Sequence, residues 1–95
     1  MSNSPSKVKN IIIGQTLQQK RMALTLSRID VAEKLGIQSQ FVSNWERGDC
    51  LPPRKILNDL LRLYKIPKKD IVKLYTLATK AALDCYFEDI KESSD

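Results

Sequence analysis

Gln40 and Asn44 stand four residues apart in a stretch, Ser39–Arg47, that also holds Ser39 and Ser43. On a helix, positions i and i+4 share one face. Each carboxamide sets an acceptor oxygen beside a donor nitrogen, which matches N6 and N7 of adenine; a serine hydroxyl is less selective. Such a face either bonds base edges or is simply solvated, and residue type alone leaves both open. Other chemistry is hard to find. The chain has no histidine, and its two cysteines, Cys50 and Cys85, form no Cys-x-x-Cys pair. Histidine-based zinc sites and histidine acid–base catalysis are therefore excluded. With no nucleophile–base set, metal cluster or glycine-rich phosphate loop, the expectation is no enzyme, no catalytic residue and no cofactor.

Charge narrows the class of partner. The net charge is +5 over 95 residues, but residues 1–83 hold 15 Lys/Arg against 6 Asp/Glu, and residues 84–95 hold one Lys against 5 acids. A basic body with an acidic end fits a domain that binds a polyanion, although charge alone also fits a merely basic surface. The longest early apolar run, Ile11-Ile12-Ile13, is too short for a signal-peptide core or a membrane span. A cytoplasmic, nucleoid-associated protein with reduced cysteines and no membrane partner is expected.

The elements that must position Gln40 and Asn44 can be read from periodicity and punctuation. Residues 1–9 are rich in Ser, Asn, Pro and Lys and read as a flexible basic arm. A first helix follows to about residue 24, carrying Ile13, Leu17 and Leu24 near helical spacing. Thr25-Leu26-Ser27 breaks it, and Ser27 suits the N-cap of a second helix over about 28–35. Gly36 supplies a left-handed stop. The third helix spans about residues 39–47 and ends at Gly48. After Pro52-Pro53 comes a fourth, marked by Ile56, Leu57, Leu60, Leu61 and Leu63. A fifth helical pattern opens at Pro67 and continues to about Lys91. The division is an arm (1–9), a helical domain (10–66), a C-terminal helix (67–91) and an acidic tail (92–95).

Two short helices joined by a tight turn must cross steeply. That crossing needs a small residue at the close approach, which Ala32 provides, and a residue tolerant of positive φ in the turn, which Gly36 provides. Val31, Leu35, Ile37, Val42 and Trp45 supply apolar inner faces. These residues, with Leu26-Ser27 ahead and Ser43-Asn44-Trp45-Glu46-Arg47-Gly48 behind, resemble the phage repressor and Cro type of helix-turn-helix domain, the XRE family. The resemblance covers residues 14–65. It implies an all-α fold, a compact five-helix lambda-repressor-like bundle here extended by a long C-terminal helix. It also implies double-stranded DNA as partner, with the third helix in the major groove.

On that resemblance Ser39, Gln40, Ser43 and Asn44 are the base-reading positions. Phe41 either touches a thymine methyl or packs on the second helix. Arg28 matches a position that touches the DNA backbone, where a helix N-terminus also favours an anion. Gln38, Arg47, Lys20 and Arg54 are further phosphate candidates, and Lys7 and Lys9 could sweep the backbone from the arm. Arg21 and Glu46 match a water-shielded ion pair linking the first helix to the end of the third. One departure is Gln38, which stands where the family usually has a Ser or Thr cap; Ser39 is the alternative cap.

The family core would end near residues 65–68, yet the apolar pattern continues. Ile71, Leu74, Ala78, Ala81 and Cys85 form one stripe; Val72, Tyr75, Thr79, Leu83, Tyr86 and Ile90 form another. One stripe can cover the domain's own core, and two imply a second buried surface. Small residues Ala78, Ala81 and Ala82 would admit another helix closely. The expectation is a homodimer through residues 71–90, acting as a repressor on a palindromic operator. The alternative is an antitoxin that binds its own operator and a toxin or other regulator protein.

Overall fold

Turn chemistry divides the chain into five helices. The computed structural model describes residues 5–94, with side chains from residue 7 to residue 87. The described residues contain α1 (Pro5–Ala23), α2 (Arg28–Leu35), α3 (Ser39–Arg47), α4 (Arg54–Tyr64) and α5 (Lys68–Ser94), and no strand. The first four helices end alike. Thr25, Gly36, Gly48 and Lys65 take left-handed φ values of 57°, 69°, 83° and 58°. The next amide in each case reaches back five residues: Leu26 to Arg21 (3.2 Å), Ile37 to Ala32 (3.0 Å), Asp49 to Asn44 (3.0 Å) and Ile66 to Leu61 (2.9 Å). Carbonyls that a helix end would otherwise leave unpaired are thereby satisfied.

The helices close around Ile13, Leu17, Val31, Ala32, Val42, Trp45, Leu60, Tyr64 and Ala78. Burying a side chain the size of Ile13, Leu17 or Leu60 is worth about 2 kcal/mol each. α1 is the spine: it packs along α5 on one side and against α3 on the other, while α2 packs on α3 and α4. The α1–α3 approach depends on Gly14. A Cβ there would collide with the Trp45 carbonyl oxygen and lie 2.8 Å from that of Glu46. The backbone of α3 itself therefore rests on α1.

Four expectations change. The basic arm does not extend to Lys9, because α1 begins at Pro5; residues 1–4 lie outside the described residues. Lys7 lies on that helix, where its ammonium donates to the Gly48 carbonyl and to Asp49, both at 3.2 Å. The C-terminal helix is not an appendage to a domain ending at residue 66. Ile71, Ala78 and Ala82 are buried within the chain, so Ala78 and Ala82 accommodate this chain's own helices rather than a partner's. Cys85, placed by its spacing on the core stripe, is exposed, because the cover ends near Ala82. The helix itself continues through Ser94, past the expected start of a separate tail. Among the described residues no helix is long and apolar enough to cross a membrane.

Candidate nucleic-acid interface

The candidate interface is assembled on α2 and α3. α2 starts with a reciprocal capping box. The Asp30 amide donates to Ser27 Oγ (3.0 Å), and the Ser27 amide donates to Asp30 Oδ2 (3.0 Å). The backbone donor at Ser27, foremost, holds the Asp30 carboxyl below the usual carboxylate range. α2 then buries Val31 and Ala32 and stops at Gly36. α3 starts at Ser39 with Gln38 in the N-cap position; its side chain makes no cap bond, and its carbonyl accepts from the Phe41 amide at 3.1 Å. Ser39 is therefore the first helical residue and not the cap.

Val42, Trp45 and Glu46 form the buried side of α3. Val42 and Trp45 are there because they fill the core. Glu46 is there because it is paired: its carboxylate takes Arg21 Nε on Oε2 (2.6 Å) and Arg21 Nη2 on Oε1 (3.1 Å). Arg21 Nη1 also donates to the Leu26 carbonyl at 2.8 Å. The hydrogen bond that Arg21 donates to Glu46, outweighing burial, raises the Arg21 guanidinium above its ordinary value. Arg28 joins the same carboxylate, with Nε on Oε1 at 2.9 Å while 44% of its side chain stays accessible. Its place at the start of the helix points to phosphate alone and does not reveal this carboxylate. One buried carboxylate thus ties α1, the start of α2 and the end of α3 together.

The structure sorts the remaining residues into two groups. Ser39 and Ser43 line a shallow depression with Arg28 and Gln18, between α1, α2 and α3. Gln40, Asn44 and Arg47 instead form a hydrogen-bonded row. Gln40 Nε2 donates to Asn44 Oδ1 (3.0 Å), and so does Arg47 Nη2 (2.7 Å). Arg47 Nε and Nη2 also donate to Asp49 Oδ2, at 3.0 and 2.9 Å. Those bonds, and one from Lys7, hold the Asp49 carboxyl below the usual range. Phe41 is half exposed, and Gln38 is exposed.

Asp49, Gln18 and Gly14 are not marked by the sequence as part of this site, and Lys7 is marked only as an arm cation near the DNA backbone. A Gly in mid-helix is the one local signal among the first three, since it signals close backbone contact. Asp49, Gln18 and the actual partners of Lys7 depend on long-range proximity that spacing does not report. Among the described residues no group of His, Cys, Asp or Glu could hold a metal ion.

No curated protein matches the chain. A family model described as a helix-turn-helix domain matches residues 12–73, from the first helix into α5. The matched span contains the capped α2, the Gly36 turn and the α3 held down by Glu46. The chain therefore belongs to the helix-turn-helix domain family, the DNA-binding kind of XRE-like type.

Proposed function

We propose that the protein is a sequence-specific transcriptional repressor that binds double-stranded DNA as a homodimer, with α3 in the major groove. The observation that carries this reading is the division of α3. Its inner side is fastened by the Arg21–Glu46 pair, leaving Gln40 and Asn44 together on a polar outer face. Gln40 and Asn44 read base edges, joined by Ser39, Ser43 and Phe41. Arg28, at the α2 N-terminus, contacts the backbone, where positive charge and unpaired amides favour phosphate.

The dimer half of the proposal rests on the outer face of α5. Val72, Leu83, Tyr86 and Phe87 are exposed there, beside a groove lined by Tyr75, Thr79, Lys80 and Asp84. A second copy fits it by charge. In a two-fold antiparallel pairing centred near Ala82, Lys80 meets Asp84 of the other copy on the rim while Leu83 stays inside. Two copies also provide the paired recognition helices that a palindromic operator needs.

Selection of bound duplexes from a random pool tests the reading. The expected result is a short palindrome, with Gln40→Ala and Asn44→Ala relaxing preference at particular positions by roughly 1–3 kcal/mol each. Arg28→Ala should weaken all sequences alike and lower the salt slope by about one. An unenriched pool, or equal losses for all three variants, would refute it. A stable one-to-one complex with a different protein through α5 would favour an antitoxin instead.

A further inference from the structure

By residue type Asn44 could pair with adenine, giving and receiving a hydrogen bond at once. In this structure its receiving half is already taken. Asn44 Oδ1 accepts from Gln40 Nε2 at 3.0 Å and from Arg47 Nη2 at 2.7 Å, which fills both lone pairs of an amide oxygen. Arg47 is itself held in place. Its Nε and Nη2 bond Asp49 Oδ2 at 3.0 and 2.9 Å, and Asp49 Oδ1 is taken by Lys7 from α1 at 3.2 Å. The row therefore runs from the reading face of α3 to a helix on which α3 rests.

We infer that Arg47 is a positioning residue for base recognition: it holds the Asn44 oxygen within the row, bonded to Arg47 and Gln40, so that Asn44 offers the DNA donors only. This deepens the proposed base-reading role of α3 and depends on it. Adenine presents one acceptor and one donor in the major groove, and its N6 amine finds no acceptor on Asn44. Guanine presents two neighbouring acceptors, O6 and N7, and suits the Asn44 amide nitrogen. Gln40 spends one amide proton on Asn44 and keeps its carbonyl oxygen and its second proton, the set that adenine needs. Gln40 therefore reads adenine, and Asn44 reads guanine. The charge of Arg47 is spent on Asp49 rather than offered to phosphate.

Selection from a random duplex pool with the full chain, alongside Asn44→Ala, Arg47→Ala, Arg47→Lys and Asp49→Ala, tests this. Arg47 and Asp49 side chains are 57% and 46% accessible, so these variants should keep the fold, which an unchanged melting curve checks. Asn44→Ala identifies the base pair that Asn44 reads. At that pair Arg47→Ala is expected to lower the preference for guanine over adenine by about tenfold. Arg47→Lys and Asp49→Ala should move it in the same direction, and the dependence of affinity on salt should not change. A salt slope reduced by about one, with every sequence weakened alike, would make Arg47 a phosphate contact and overturn the inference. A preference for adenine at that pair in the unaltered protein would also overturn it. If Asn44→Ala alters no position, base reading by Asn44 itself fails; if it alters one that the Arg47 variants leave untouched, only the positioning role fails.

Discussion

Glu46 has two cationic partners and one buried carboxylate, so its removal is not a simple loss of three hydrogen bonds. Glu46 and Arg21 side chains are 3% and 10% accessible, and Arg21 would be left charged in a dry site. Removing one member of such a pair typically costs about 3 kcal/mol or more, chiefly as the penalty on the charge left behind. Glu46→Ala should lower the melting temperature by more than about 10 °C and weaken DNA binding with it. An unchanged melting curve would contradict the structural role. Arg28→Ala should cost far less in stability, because its side chain is 44% accessible and its contact with Glu46 is screened by water. The same residue can then be expendable for folding and needed for DNA.

Helix ends show how much a single backbone position can matter. α2 and α3 stop at glycines, which take positive φ at no steric cost. Thr25, just after α1, adopts φ 57° with a β-branched side chain, a conformation costing roughly 1–2 kcal/mol for an ordinary L-residue. Thr25→Gly should therefore stabilise the fold by roughly 0.5–1 kcal/mol, after allowing for glycine's extra freedom when unfolded. Thermal melting at fixed pH measures it, and a lower midpoint would show that the Thr25 hydroxyl bond to Leu24 outweighs the backbone strain. Side-chain capping does not explain why α3 starts where it does. Gln38 makes no side-chain cap, yet α3 is held by its buried face and by its bonds at the far end.

The described residues span 52 × 27 × 23 Å, long because the 27 residues of α5 outrun the bundle they help to cover. Ile71, Ala78 and Ala82 face the chain's own interior, and Val72, Leu83, Tyr86 and Phe87 do not. An exposed apolar face of that kind on a helix is expected to be covered in the working assembly. Leu83→Asp should convert the proposed dimer to monomer in light scattering across a dilution series while leaving helix content unchanged. Monomer mass for the unaltered chain at every concentration would dispose of the dimer. DNA affinity should fall with the dimer, because two linked half-sites bind far more tightly than one.

Local chemistry carried a large part of this protein in its sequence. Ser27, Gly36 and Gly48 mark boundaries through capping and positive φ, and Ala32, Val42 and Trp45 announce a steep helix crossing through size and spacing. These are properties of neighbours along the chain, which is why they can be read without a fold. Only the tertiary structure decided which charges meet. It brought Lys7 onto Asp49, Gly14 onto the backbone of Trp45 and Glu46, and Arg28 onto a carboxylate eighteen residues away. It also divided the two apolar stripes of α5 differently from their spacing, because burial ends where the bundle ends, near Ala82, and not where the pattern does. The polar residues of α3 were legible as one face from their spacing; that Asn44 Oδ1 is taken by Gln40 and Arg47, and that Arg47 is held through Asp49 by a helix about forty residues earlier, was decided only by the tertiary structure.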